Sequence, residues 1–178
     1  MRTSELLTHA YAQIGETLRR AVEGLTPEQL THRVAPAANP IGWLAWHLLR
    51  VQDDHLAEVA GTEQVWTTQG FAVRFGRPAD DTATGYGMSG LEVGSLQVPS
   101  ADLLLEYADA VLARSREFLG GLSDDDLDRV VDEEWDPPVT LGVRLVSVVD
   151  DDLEHVGQAA FVGGLVRRLD ERRPGPAR

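Results

Sequence analysis

Two groups of polar side chains interrupt apolar stretches of the sequence, and together they could hold a metal ion. His47 follows directly on the run Ile41 to Trp46, which has no polar face and is therefore expected to be buried. Asp151 and His155 are four residues apart, so they share one face of any helix that carries them. Two imidazoles and one carboxylate suit Zn, Fe, Ni or Mn, and three protein ligands leave positions open for water or substrate. The spacing therefore predicts a divalent-metal site at His47, Asp151 and His155.

Each part of this set also has a simpler interpretation. A single histidine such as His47 is more often a hydrogen-bonded core residue than a metal ligand. The four acids just before His155 could form an ordinary solvated helix face and pair with that histidine. Asp152 is three residues from His155 and could replace Asp151 as the acidic ligand. His55 lies about two turns beyond His47, and we expect it to be a core residue or a partner of a ligand.

The composition narrows the chemistry further. The chain has 178 residues, no cysteine, a formal net charge of -13, 43% hydrophobic residues and 25% charged residues. The missing cysteines exclude disulfides, Cys-ligated zinc, iron–sulfur clusters and a cysteine nucleophile. All 16 basic residues are arginine, which excludes Schiff-base chemistry and a P-loop lysine. The negative charge argues against nucleic acid or an anionic membrane as a partner. Since no stretch resembles a signal peptide or a bilayer-spanning helix, we expect a cytoplasmic protein.

Four long helical stretches must position the candidate residues. The apolar spacing and the capping signals predict them at residues 3–24, 40–60, 101–119 and 140–169. A short helix follows the first and the third of these, over residues 27–34 and 124–131, and no segment alternates convincingly as a strand. The repeated order of elements indicates a duplicated helical hairpin and predicts an all-α four-helix bundle. Bundles build their sites in the core from facing helices, so the second and fourth long helices are expected to meet at the metal site.

The connection between the second and third long helices, residues 62–99, shows no sustained period. A connection of this length inside a compact domain is usually a functional lid or a disordered segment, and its aromatic residues favour a packed lid. We therefore expect Trp66, Phe71 and Tyr86 to contact a small-molecule substrate. The expected organisation is a single domain that includes this lid or crossover, followed by a flexible tail: residues 1–171 and 172–178.

Two stretches around the candidate ligands resemble the DinB superfamily, which includes the mycothiol-dependent maleylpyruvate isomerases and the bacillithiol transferases. The second helix of that family resembles residues 42–55, GWLAWHLLRVQDDH, and its fourth helix resembles residues 151–158, DDLEHVGQ. The resemblance implies a four-helix bundle with a long crossover between helices two and three. It also implies metal ligands at His47, Asp151 and His155, although the family more often has His or Glu where this chain has Asp151.

The resemblance further implies a chemistry. Characterised members of the family catalyse transfer or isomerisation reactions that use a low-molecular-weight thiol. Their metal lowers the pKa of that thiol. We therefore expect a thiol-dependent S-transferase or isomerase that uses Zn, Ni or Fe and acts on a small electrophile. The arginine-only basic residues and the few Ile and Asn indicate a high-GC, actinobacterial genome, in which mycothiol is the expected cosubstrate.

Two further expectations concern binding. Three arginines could bind a substrate carboxylate, although surface positions are the simpler interpretation: Arg50, Arg74 and Arg144. A homodimer is also expected, since dimers are common in the resembled family. The alternative to an enzyme is a noncatalytic bundle that binds a metal, a small ligand or a partner chain, with the acids around His155 forming an ordinary polar network.

Overall fold

The computed structural model describes residues 1–171 as a bundle of four long helices, which we number together with the shorter helices in chain order. The long helices are α1 (Thr3–Val22), α3 (Ile41–Ala60), α7 (Ala101–Gly120) and α8 (Leu141–Glu171). Helix α3 packs against α7 and α8, and α1 packs against the same two helices from the opposite corner. The prediction of an all-α four-helix bundle is therefore confirmed. The helices that carry the candidate ligands, α3 and α8, are direct neighbours.

The ends of the helices follow capping signals that are visible in the sequence. Thr26 and Gln29 form a reciprocal capping box at the start of α2 (Pro27–Leu30), which is shorter than the predicted 27–34. At the end of α3, Gly61 has a φ of +66°, in the left-handed region that favours glycine. These signals fix where the long helices begin and end, and so which residues face the bundle core.

The connection between α7 and α8 differs from the sequence prediction. In place of a helix over residues 124–131, the structure has a 3-10 turn (Asp125–Asp128) and a short antiparallel hairpin. Its strands are β1 (Val130–Asp132) and β2 (Val139–Thr140). The prediction was wrong because the β-branched Val130 and Val131 favour an extended chain, which here pairs with β2. Strands of this length are too short to show alternation in the sequence.

The long crossover between α3 and α7 is confirmed, and it contains three short helices. These are α4 (Val65–Thr68), α5 (Phe71–Arg74) and α6 (Gly90–Ser95). The apolar side chains of the crossover join one core cluster with the long helices: Trp66, Phe71, Phe75, Val93, Leu96 and Val98. Much of the crossover is therefore a packed wall of the bundle.

Two further expectations concern the C-terminal tail and membrane-spanning helices. The flexible tail expected at residues 172–178 lies outside the described residues. Within residues 1–171, no helix combines the length and the hydropathy that crossing a bilayer requires.

Candidate metal centre

His47 from α3 and Asp151 and His155 from α8 meet where these two helices pack together. One ligand atom from each side chain can be chosen so that all of them lie within 4.8 Å of one another. The two imidazole rings are nearly perpendicular, at 69°, with centroids 4.6 Å apart. Ligand atoms about 2.1 Å from a tetrahedral ion are about 3.4 Å apart, so a small inward movement suffices to coordinate one. The structure thus brings together the three side chains that the sequence singles out.

The His47 ring is buried and held by a backbone carbonyl of the crossover. Its Nδ1 lies 2.7 Å from the carbonyl oxygen of Thr84, and the ring stacks on Trp43 with centroids 4.5 Å apart. Because a carbonyl oxygen only accepts, Nδ1 carries the proton and Nε2 keeps its lone pair. Burial lowers the pKa of His47, an effect that the Thr84 carbonyl opposes in part. The ring is therefore held neutral, with Nε2 as its ligand atom.

His155 has the same tautomer for a different reason. Its Nδ1 donates to the backbone carbonyl of Asp151, one turn earlier on α8, at 2.8 Å. The Asp151 carboxylate raises the pKa of His155, and the nearer carboxylate oxygen, Oδ2, lies 3.4 Å from Nδ1. Burial raises the pKa of Asp151, but the interactions with His155 outweigh it and leave that pKa below its ordinary value. An ionised carboxylate therefore lies beside a second imidazole with its Nε2 available.

The donor atoms of this cluster fit a divalent metal. Asp151 Oδ2 is buried and has no hydrogen-bond partner within the described part of the chain. A buried carboxylate oxygen without a partner is costly unless a cation lies against it. Two imidazole nitrogens and one carboxylate oxygen form the 2-His-1-carboxylate set of many transition-metal centres. The residues present thus match the group that the family resemblance implies.

Asp152, the alternative acidic ligand, lies outside this cluster. Its side chain is fully buried, it interacts electrostatically with Tyr11 on α1, and its two carboxyl oxygens find no hydrogen-bond partner among residues 1–171. Burial, and secondarily the charge of Asp151, raises the pKa of Asp152 well above its usual range. Of the two adjacent acids, Asp151 therefore belongs with the histidines and Asp152 with the interior of the bundle.

Asp152→Asn is expected to make the metal-free protein more stable at pH 7 and about equally stable at pH 4. The folded-state pKa of Asp152 lies above its unfolded value, so the unfolded chain releases this proton first as the pH rises. Between the two pKa values, the free energy of unfolding of the wild type therefore falls, relative to that of the variant, by roughly 1.4 kcal/mol per pH unit. Urea unfolding with chelator across this range measures the difference. Asp150→Asn, at an exposed position, is the control, and a difference that grows toward acid pH would contradict the assignment.

A cavity of about 600 Å³ opens beside the cluster, between α3, α8, the crossover and the β-hairpin. Its lining includes two strongly exposed aromatic side chains, Tyr86 (92% exposed) and Trp135 (67% exposed). On another wall, Arg144 donates to Asp132 at 2.9 Å and to His55 Nδ1 at 2.8 Å. Nδ1 of His55 therefore accepts this hydrogen bond, and His55 lies outside the cluster of three ligands. The volume is in the roughly 300–1,000 Å³ range of small-molecule sites.

The aromatic residues expected to bind substrate divide between the cavity and the core. Tyr86 lines the cavity, whereas Trp66 and Phe71 are buried and pack against Tyr107 with ring centroids 5.5 and 4.9 Å away. The structure does not bring these two to the cavity, because α4 and α5 turn their apolar sides toward the bundle. Trp135 was not among the residues expected to contact substrate. A tryptophan in an acidic, proline-containing loop was a signal that could have indicated this role.

Comparison with known proteins agrees with this architecture. The sequence profile of the DinB superfamily matches residues 10–159, a range that contains all three clustered residues. The chain belongs to the DinB superfamily. A crystal structure of a conserved protein from Enterococcus faecalis is similar to this DinB-superfamily chain, with 27% sequence identity and a TM-score of 0.86. The match covers 94% of this chain and 99% of that one. A comparison with curated proteins finds no match.

Membership of the DinB superfamily confirms the family expected from residues 42–55 and 151–158. The superfamily is typically metal-binding, and the cluster of two histidines and one aspartate in this DinB-superfamily chain could bind a metal ion.

Proposed function

We propose that this chain is a divalent-metal-dependent enzyme that acts on a small electrophile with the help of a low-molecular-weight thiol. It would be either an S-transferase, which adds the thiol to the electrophile, or a thiol-dependent isomerase. The observation that carries the proposal is the cluster of His47, Asp151 and His155, two of which, His47 and Asp151, line a cavity of about 600 Å³. Zn, Ni and Fe all suit this donor set, which leaves coordination positions open. A metal bound there would lower the pKa of a thiol and so supply a thiolate at neutral pH.

The chain's own residues would hold and orient these components. The two histidines and the buried Asp151 oxygen that accepts no hydrogen bond supply the ligand atoms, and backbone carbonyls already hold Nδ1 of each ring. Trp135 and Tyr86 offer apolar surface that would exclude water from an electrophile in the cavity. Arg144 lies on another wall of the same cavity, where it could orient a polar group of the substrate.

The thiol would have to come from outside the chain, because the sequence contains no cysteine. We propose mycothiol as this cosubstrate, on the basis of the arginine-only basic residues that indicate a high-GC, actinobacterial genome. Such a reaction would take place in the cytoplasm, where small thiols are kept reduced.

Elemental analysis of protein purified without an affinity tag is the first test. We expect one divalent metal per chain in the wild type and loss of that metal in His47→Ala and His155→Ala. Equal metal content in all three proteins would contradict the proposed site.

A thiol assay then separates an enzyme from a binding protein. Metal-loaded wild type is incubated with mycothiol and a panel of small electrophiles, and thiol consumption is followed with and without chelator. We expect consumption that requires both the metal and His155. Metal binding that raises Tm without any thiol consumption would instead support the noncatalytic alternative.

A further inference from the structure

Arg50 is a fully buried arginine on α3, three residues after His47 and therefore on the same side of that helix. Its guanidinium reaches across to the crossover and donates to two backbone carbonyls. Nε donates to the carbonyl of Ala83 at 3.2 Å, and a terminal nitrogen donates to the carbonyl of Asp81 at 2.9 Å. Arg50 thus fixes the backbone of the crossover just before Thr84.

The next residues of the crossover lie against His47. The Thr84 carbonyl accepts the hydrogen bond from His47 Nδ1 at 2.7 Å. Gly85 follows with a φ of +99°, and a Cβ there would lie 2.9 Å from Trp46 and 3.0 Å from His47 Nδ1. Only glycine allows the backbone to approach the histidine this closely. The segment 81–85 is therefore held by Arg50 at one end and packed on His47 at the other.

The guanidinium is itself held in one place. It donates to Gln64 Oε1 at 2.7 Å and to the Tyr107 hydroxyl at 3.2 Å, lies 3.5 Å from Asp53 Oδ2, and stacks 4.9 Å from the Trp66 ring centroid. A buried charge is tolerated only when it is paired and hydrogen-bonded, and this set of contacts meets that condition. Arg50 is therefore a rigid support for the two carbonyls that it binds.

We propose that Arg50 is a positioning residue for the metal centre. By holding the carbonyls of Asp81 and Ala83, it places the Thr84 carbonyl that selects the Nδ1–H tautomer of His47. That tautomer leaves Nε2 as the ligand atom, which is how hydrogen bonds around a metal ligand set its orientation and basicity. The effect on metal affinity rests on the proposed metal-dependent function, whereas the tautomer is a property of the metal-free chain.

The fork of the arginine is essential to this role. Its planar guanidinium binds two carbonyls at once from fixed positions, whereas a lysine ammonium is a single point charge on a flexible stem. Arg50→Lys keeps the charge but loses the bridge, so it separates positioning from simple charge balance. Arg167 provides a matched control, because it also donates to two backbone carbonyls, those of Ala21 and Glu23, at the α1–α8 contact.

Nitrogen-detected NMR of the histidine rings in the metal-free protein tests the proposal. The His47 signal is assigned by its loss in His47→Gln. We expect the Nδ1–H tautomer in the wild type and in Arg167→Met, and a mixed or Nε2–H tautomer in Arg50→Lys and Arg50→Met. Zn²⁺ affinity, measured by chelator competition, should fall about tenfold in Arg50→Lys and stay unchanged in Arg167→Met.

An unchanged His47 tautomer in Arg50→Lys would overturn the proposal, even with a weakened Zn²⁺ affinity, and so would an equal change in Arg167→Met. If Arg50→Met does not fold, Arg50→Lys, with its retained charge and apolar stem, carries the test. A wild type that binds no Zn²⁺, together with a tautomer change in Arg50→Lys, would overturn the proposed metal function but support the positioning of His47 by Arg50.

Discussion

Asp151→Asn is expected to weaken Zn²⁺ binding at least about 100-fold, because even partners of metal ligands typically contribute 10–100-fold. The substitution keeps the size of the side chain but replaces a charged, buried oxygen that accepts no hydrogen bond from the described residues. The same substitution one residue later, Asp152→Asn, should leave the affinity nearly unchanged. The Asp152 carboxyl is fully buried outside the cluster, and burial raises its pKa, which disfavours the charged form that a metal ligand needs.

This adjacent pair of variants controls for general effects on α8. Zn²⁺ affinity is measured by chelator competition on tag-free protein, and thermal unfolding of the metal-free forms shows that each variant folds. Two outcomes would contradict the assignment of the acidic ligand: an equal loss in both variants, or a larger loss in Asp152→Asn. A loss confined to Asp151→Asn would support the cluster as the metal site.

The sequence was sufficient for the features that helix periodicity controls. A four-residue spacing places Asp151 and His155 on one helical face whatever the helix packs against. The apolar run before His47 requires burial of that helix turn, and cap signals such as Thr26 and Gly61 mark the helix ends. The order of the long helices then indicated a bundle, which the structure and membership of the DinB superfamily confirm.

Other features depend on contacts between elements and leave little trace in the sequence. Periodicity cannot choose between Asp151 and Asp152, because both lie within one turn of His155. The choice follows from how α8 is rotated against α1 and α3. The Thr84 carbonyl that orients His47 is a backbone group and has no side-chain signature. These features are determined by the packing of distant segments against one another, which the local sequence pattern does not reveal.

The crossover illustrates the same limit on a larger scale. From the sequence, Trp66, Phe71 and Tyr86 were all expected to contact substrate from a packed lid, yet two of them are core residues and only Tyr86 lines the cavity. Which side of a one-turn helix faces inward is set by the groove that it fills, and a one-turn helix is too short for a hydrophobic period to reveal it.

A second large effect is expected at Asp53, which ties α3 to α4 and α7. Its carboxylate accepts the backbone N–H of Val65 at 2.9 Å and that of Trp66 at 2.8 Å, so it caps the first turn of α4. It also accepts the Tyr107 hydroxyl at 2.8 Å and lies 3.5 Å from the Arg50 guanidinium. Burial raises the pKa of Asp53, and all four of these donors act in the opposite direction.

Asp53→Ala is expected to lower the free energy of unfolding by about 3–5 kcal/mol, because it leaves a buried guanidinium without its carboxylate and two buried N–H groups without an acceptor. Asp54→Ala is the matched control. Its half-buried carboxylate accepts one side-chain hydrogen bond, from Gln64 at 2.7 Å, so its loss should cost only about 1 kcal/mol. Urea unfolding of both variants measures the difference, and equal effects would contradict the role of Asp53.

Because Asp53 lies beside Arg50, its removal should also loosen the crossover segment that orients His47. Asp53→Ala should therefore shift the His47 tautomer in metal-free protein that is still folded, and Asp54→Ala should not.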